Sequence, residues 1–73
     1  MPITLENVDE VFTYHAPDDT QVLQLQQVRL AAKDLARAIL IHTPTCGDQQ
    51  AALRLLREAV MTANAAIALK GIV

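Results

Sequence analysis

Residues Thr20 to Ile41 read TQVLQLQQVRLAAKDLARAILI, and this stretch decides the fold of the chain. Its apolar residues recur in alternating steps of three and four, the spacing of a helix that packs along one side against a partner helix. The members of this seam are Leu25, Val28, Ala32, Leu35 and Ile39. A basic line of three cations at intervals of four, Arg29, Lys33 and Arg37, runs along the other side. The pattern predicts one long helix over residues 20–42.

The sequence that follows predicts a second long helix, packed antiparallel to the first. Pro44 stops the first helix, and a turn as short as residues 43–47 makes two consecutive helices antiparallel neighbours. The second helix is predicted over residues 48–70, with Thr45 as its N-cap. Its apolar residues lie nearly all around it, which is typical of a helix that is covered on several sides.

The residues before the first long helix predict a short leading helix and a linker. Thr4 is placed to cap a helix over residues 1–12. Such a short helix is not stable alone, so we expect it to dock on something larger. The linker covers residues 13–19 and includes Pro17, which pushes the residue before it towards extended geometry. The cap of the long helix is then Asp18, Asp19 or Thr20.

The composition predicts that these helices assemble into a homo-oligomer. The chain has 73 residues, so it forms one domain, residues 1–73, and a domain of this size buries only about 60% of its unfolded surface. Its single cysteine, Cys46, cannot form an intrachain disulfide. Yet 52% of its residues are hydrophobic, more than two helices hide from water by themselves. The sequence therefore predicts an all-α fold, a short N-terminal helix followed by an antiparallel helical hairpin, that self-associates.

Charge and motif content exclude several classes of protein. A net charge of -2 and a pI near 5.4 argue against a protein that binds polymeric DNA or RNA. No segment reaches the ~20 apolar residues of a membrane span and no signal peptide begins the chain, which favours a cytoplasmic location. His15 and His42 lack metal-ligand spacing, and no catalytic set is evident. We therefore expect no metal, no cofactor and no enzymatic activity.

Two interpretations stay open for each candidate binding residue. The basic line could receive phosphates, or it could be a solvated face that pairs with Asp34 or with an acid of the leading helix. Tyr14, the only tyrosine, could stack on a nucleobase or could anchor the linker on the helices. His15 beside it could bond a ligand or the backbone. Asn64, a polar residue on an apolar helix, could reach a ligand, but its position favours a role in fixing the register of an oligomer.

Three segments carry a resemblance to a known family. They are FTYHAP at residues 12–17, VRLAAK at residues 28–33 and AVMTANAAIA at residues 59–68. Together they resemble the small phage proteins of the anti-CBASS cyclic-nucleotide sponge family, over most of the chain. The order of the parts carries the resemblance: an aromatic linker, a long helix with an early basic residue, a proline turn, and a second helix rich in alanine and asparagine.

The resemblance implies an assembly and a function. Members are helical hairpins with a short leading helix, assembled into hexamers. They bind cyclic dinucleotides between paired protomers and release them unaltered, which deprives a bacterial effector of its second messenger, and some members also bind cyclic trinucleotides at separate positions. The chain is therefore expected to sequester cyclic dinucleotides such as 3′,3′-cyclic GMP-AMP, without enzymatic activity, in the cytoplasm of an infected bacterium. Sequestration would block CBASS anti-phage immunity.

The resemblance also implies which residues bind the ligand. By position, Tyr14 corresponds to the family's base-stacking tyrosine, and Arg29 to the basic residue that contacts the nucleotide. Arg29 stands where the family has lysine, and its planar guanidinium can meet a phosphate bidentately. With Lys33, His15 and Pro17, these residues form the predicted ligand-binding set. The residues that contact trinucleotides have no clear match in the short hairpin tip.

Two other functions remain as alternatives. A helical oligomeric adaptor would bind another protein through its apolar second helix and would bind no nucleotide. An enzyme that acts on the nucleotide, such as a phosphodiesterase, would need metal ligands or an activated nucleophile, and the sequence shows neither arrangement.

Overall fold

A computed structural model describes residues 2–73 as a helical hairpin with a short helix in front of it. The helices are α1 (Val8–Val11), α2 (Asp19–His42) and α3 (Gly47–Ala68). The two long helices pack against each other along their length, with the connection at residues 43–46. The predicted all-α helical hairpin is confirmed. Among residues 2–73, no helix carries an apolar run that would span a bilayer.

A reciprocal capping box begins α2. The Asp18 carboxylate accepts a hydrogen bond from the backbone N–H of Gln21 at 2.8 Å. In return, the backbone N–H of Asp18 donates to Oε1 of Gln21 at 2.9 Å. Both bonds satisfy donors that the first turn of a helix leaves unpaired, so they set the point where the linker ends. From there α2 runs for 24 residues, about 36 Å, to His42, two residues before Pro44.

The start and the end of α3 differ from the predicted helix over residues 48–70, since the helix covers Gly47–Ala68. Its N-cap is Cys46, whose side chain makes no capping hydrogen bond, so the predicted cap at Thr45 is wrong. At the other end Leu69 is the C-cap, and the left-handed position after it belongs to Lys70, with φ of 52°. Gly71 follows it with φ of 77°, also in the left-handed region. The backbone N–H groups of Lys70 and Gly71 close the helix by donating to carbonyls of its last turn.

The leading helix predicted over residues 1–12 is wrong for most of its length. Only the four residues of α1 are helical, and Met1 lies outside the described residues. The side chain of Asn7 causes the difference, because its Oδ1 accepts from the backbone N–H of Thr4 at 2.7 Å and its Nδ2 donates to the carbonyl of Pro2 at 3.1 Å. These bonds compete with helical ones, and α1 packs on neither long helix to favour a longer helix.

The only buried residues among residues 2–73 are two glutamines, one at each end of the hairpin. At the open end of the hairpin, where α2 begins and α3 ends, Gln21 (7% exposed) donates from Nε2 to the carbonyl of Ile67 at 2.9 Å. At the tip, Gln49 (5% exposed) donates from Nε2 to the carbonyl of Thr43 at 3.2 Å. Since a buried polar group without a partner is costly, these bonds fix the register of α2 against α3.

The apolar seam is only partly covered. Leu25, Val28, Ala32 and Ile39 are half-buried against α3, and Leu35 remains 51% exposed. The chain exposes 5751 Å² in all, whereas a compact monomer of 8.0 kDa exposes about 4,450 Å². Its radius of gyration is 15.3 Å, against about 11 Å for a compact domain of this length. One chain therefore leaves much of its apolar surface in water.

Candidate functional site

Two grooves flank the middle part of the contact between α2 and α3. The basic groove is lined by Arg29, Ala32, Lys33 and Ala36 of α2 and by Leu53, Leu56, Arg57 and Val60 of α3. The apolar groove, on the opposite side, is lined by Val28, Ala31, Ala32 and Leu35 of α2 and by Leu56, Ala59, Val60 and Ala63 of α3. Ala32, Leu56 and Val60 belong to both grooves and form their common floor.

Helical spacing places two predicted residues on the basic groove. Arg29 and Lys33 are four apart on α2, so they project from the same side one turn from each other. Ala32 and Ala36 have small side chains, so they leave space on the α2 side of the groove. Arg57 faces them from α3, so cations border this groove on both sides.

The third member of the predicted basic line does not belong to this groove. Arg37 lies 3.6 Å from the carboxylate of Asp34 and lines neither groove. The other ion pair in the described part of the chain joins Lys70 to Asp18 at 4.0 Å. Arg29, Lys33 and Arg57 take part in neither pair. The line therefore splits into a paired, solvated Arg37 and a pair of unpaired cations on the groove.

Tyr14 lies apart from the basic groove of its own chain. Its side chain is 84% exposed and lines neither groove. Arg29 lies ten residues into α2, about 15 Å along the helix from its start, and the linker lies in front of that start. The structure thus brings Arg29 and Lys33 together within one chain and leaves Tyr14 away from them.

The two remaining predicted residues shape the linker that carries Tyr14. His15 donates from Nε2 to the backbone carbonyl of Glu10 at 2.7 Å, since a carbonyl can only accept. This bond ties the linker back onto α1. Pro17 is exposed and directly precedes Asp18, the cap of α2. Together these contacts limit the conformations from which Tyr14 can project.

A comparison with protein families identifies the family of this fold. The model of the Acb2/Tad1 hairpin domain matches residues 4–68, which include the linker and both long helices. The chain belongs to the Acb2/Tad1 hairpin-domain family. This family is known for sequestering cyclic nucleotide signals. The resemblance to the anti-CBASS sponge family is thereby confirmed. No curated protein and no solved structure matches the chain.

In this Acb2/Tad1 hairpin, two features of α3 depend on how the helices pack, and the first of them, Arg57, is not among the predicted binding residues. Arg57 joins Arg29 and Lys33 on the basic groove, which the register of the two helices decides. Asn64 carries an Oδ1 that is buried and accepts no hydrogen bond from any described residue. Because residues seven apart lie on nearly the same side of a helix, Asn64 lies on the side of Arg57. An orphaned acceptor marks a place where a donor from another molecule would be favourable.

The described residues contain no cluster suited to metal binding. Among residues 2–73, no three His, Cys, Asp or Glu side chains come together as potential ligands. Cys46 is an exposed free thiol at the start of α3. The basic groove itself is lined by alanine, leucine and valine side chains with three cations, a set of groups that suits binding of an anion.

Proposed function

We propose that this protein sequesters cyclic dinucleotides such as 3′,3′-cyclic GMP-AMP, without altering them, in the cytoplasm of an infected bacterium. Sequestration would block CBASS anti-phage immunity by withholding the second messenger from its effector. The observation that carries the proposal is the basic groove of an Acb2/Tad1 hairpin, where Arg29 and Lys33 stand side by side without an acidic partner.

The chemistry of the ligand fits these cations. A cyclic dinucleotide carries two phosphodiesters, each with one negative charge, and two flat bases. Arg29 can hold phosphate oxygens bidentately, whereas Lys33 acts as a compact point charge beside it. Hydrogen bonds that involve charged groups contribute about 1.5–3 kcal/mol each, so two such cations contribute substantially to the binding free energy.

The site is proposed to form between two copies of the chain. The basic groove encloses about 250 Å³, below the roughly 300–1,000 Å³ typical of small-molecule pockets. Tyr14, the candidate for stacking on a base, lies away from the groove of its own chain. A two-fold pair would bring the tyrosine of each chain to the groove of the other and would supply every group twice. His15 and Pro17 would then aim the linker that carries it.

The surface of the chain supports assembly beyond a pair. About 1,300 Å² more area is exposed than on a compact monomer of the same mass, and the apolar groove accounts for part of it. A homohexamer built from pairs, as the family resemblance implies, would cover this surface. Covering the apolar groove would remove from water the alanine and leucine side chains that line it.

We propose that the ligand is released unaltered, and the groups that line the groove support this. Hydrolysis of a phosphodiester needs an activated nucleophile or bound metal ions. The residues that line the basic groove include no carboxylate, histidine, cysteine or hydroxyl group. We therefore expect the protein to bind the nucleotide and not to cleave it.

Calorimetry with 3′,3′-cyclic GMP-AMP tests the proposal, followed by chromatography of the ligand released on heating. We expect binding and an intact ligand. Arg29→Ala should weaken affinity about tenfold or more with the assembly intact, because a charged hydrogen bond is lost. Arg37→Ala is the matched control, since its cation pairs with Asp34 away from the groove. No binding, or a cleaved product, would refute the proposal. A cyclic trinucleotide added to the saturated protein tests for a separate second site.

An adaptor function is the second candidate, and one observation favours it. Leu55 and Met61 are exposed on the side of α3 that faces away from α2. If these residues stay exposed in the assembled protein and no cyclic nucleotide binds, a protein partner becomes the better explanation. Hydrogen–deuterium exchange and dye binding to apolar surface, measured on the assembly, distinguish the two cases.

A further inference from the structure

We propose that Arg57 is a further ligand-binding residue, and that a phosphodiester of the cyclic dinucleotide is held between both helices of one hairpin. Arg29 and Lys33 would approach the phosphate from α2, and Arg57 from α3. This inference rests on the proposed function and assigns a third cation to the same site. It makes α3 part of the binding site rather than only a support for α2.

The register of the hairpin places Arg57 between the two cations of α2. Gln21 is joined to Ile67 by a hydrogen bond of 2.9 Å, so these two residues lie level with each other. Both helices rise about 1.5 Å per residue in opposite directions. Ten residues from that bond, Arg57 on α3 is therefore level with position 31 on α2, midway between Arg29 and Lys33.

The dimensions of the groove allow the three cations to share one phosphate. Packed helices lie about 8–10 Å apart, and small residues at the contact favour the shorter distance. Ala32 and Ala36 provide such residues on the α2 side of the basic groove. Arginine and lysine keep their charged ends above an apolar floor while their alkyl chains lie along it. An anion resting on Leu56 and Val60 thus has cations on two sides.

Charge at this position is available for a ligand. Arg57 belongs to neither ion pair of the described residues, in contrast to Arg37 and Lys70. Arg57 also borders the outer surface of α3, where its neighbour Glu58 lies, but Glu58 does not line the basic groove. Arg54, one turn earlier on the same helix, also lines only that outer surface. Arg54 and Arg57 thus carry the same charge on the same helix, but only Arg57 lines the basic groove.

This pair of arginines provides a matched test by calorimetry with 3′,3′-cyclic GMP-AMP. We expect Arg57→Gln to weaken affinity about tenfold or more, because a charged hydrogen bond to the phosphate is lost. Arg54→Gln should change affinity less than about twofold, as it removes the same charge further from the ligand. Arg57→Lys should retain part of the affinity, since the charge stays but the bidentate geometry is lost. Circular dichroism and mass measurements check that each variant keeps its fold and assembly.

The outcomes separate this inference from the proposed function. If the wild-type protein binds no cyclic dinucleotide, the proposed function fails, and the role of Arg57 fails with it. If the wild-type protein binds and Arg57→Gln binds as tightly as Arg54→Gln, only the role of Arg57 is refuted. If Arg57→Gln disturbs the fold, the comparison of Arg57→Lys with Arg54→Lys decides, and equal affinities refute the inference.

Discussion

The basic groove and the apolar groove share the residues at their base but differ in the residues along their sides. One hairpin therefore has a surface that suits an anion and a separate surface that suits apolar contact. Three cations border the first groove, whereas alanine, leucine and valine alone line the second. The two grooves are lined by residues only a few positions apart on the same two helices. One side of the helix contact therefore suits an anion, and the other side suits a second apolar surface. A two-helix protein can place ligand binding and assembly on opposite sides of a single contact.

The comparison also explains how an acidic chain can offer a basic site. The protein has eight acidic and six basic residues, giving a net charge of -2. Five of the acids, however, lie in residues 6–19, which form the leading segment, the linker and the start of α2. Half of the cations line the basic groove. Total charge therefore says little about the local surface that a small anion would meet.

The largest effect should come from placing a charge in the apolar groove. We expect Leu35→Glu to reduce the assembly to a smaller species, because a buried carboxylate without a partner costs several kcal/mol. Leu35 is 51% exposed, and Leu30, which lines neither groove, is 54% exposed. Leu30→Glu is thus a matched control that should keep the wild-type mass in light scattering. Equal masses for the two variants would contradict assembly through this groove.

A second effect concerns the aromatic group that would complete the basic groove from a partner chain. Tyr14→Leu should weaken binding of 3′,3′-cyclic GMP-AMP by about 1–3 kcal/mol through loss of base stacking, and Tyr14→Phe should keep most of the affinity. Phe12, 76% exposed against 84% for Tyr14, offers the control Phe12→Leu. Calorimetry on the four proteins measures this. If Phe12→Leu is the more damaging change, the stacking group has been misassigned.

Salt should act on the two grooves in opposite ways. Between about 0.1 M and about 1 M salt the Debye length falls from about 10 Å to about 3 Å, so attraction between phosphates and exposed cations weakens. We expect several-fold weaker binding of the dinucleotide over this range. Assembly through apolar surface should be unchanged or strengthened. Calorimetry and light scattering on the same samples check both, and an assembly that dissociates with salt would show that charge pairs hold it together.

The smallest expected effect concerns Asn64, whose orphaned Oδ1 lies on the side of the basic groove. Asn64→Leu should raise the free energy of unfolding of the ligand-free protein by about 1 kcal/mol, because a buried acceptor without a partner is removed. Thermal unfolding at fixed protein concentration measures the change. A loss of stability instead would mean that a partner chain satisfies Asn64, the register role that its position on an apolar helix also favours.

The fold of this protein could be predicted from its sequence because the long helices carry their own signals. The seam from Leu25 to Ile39 predicts a packed helix, and Pro44 predicts its end. The leading helix carries no such signal, since a few apolar residues at helical spacing do not outweigh the side-chain bonds of Asn7. Gln21 follows Asp18 at the spacing of a capping box, a sign of the helix start that the sequence analysis missed.

The candidate site could be predicted only where its residues share one helix. Arg29 and Lys33 are neighbours by spacing alone, and the structure places both on the basic groove. Arg57 is 24 positions after Lys33, and only the register of α2 against α3 brings it to the same place. That register depends on buried glutamines, whose polar side chains resemble those of solvated residues in a sequence. How the chains pair around Tyr14 depends on contacts between copies and stays a prediction.

The two glutamine bonds differ greatly in the length of chain that they close. Gln49 and Thr43 are 6 residues apart, whereas Gln21 and Ile67 are 46 apart. Closing a longer loop loses more conformational entropy, so the tip can form early and the open end forms after the helices have paired along their length. We therefore expect the end of the hairpin that is joined to the linker to fold last. The aromatic residue proposed for ligand binding would then be attached next to the region that we expect to open most readily in the folded chain.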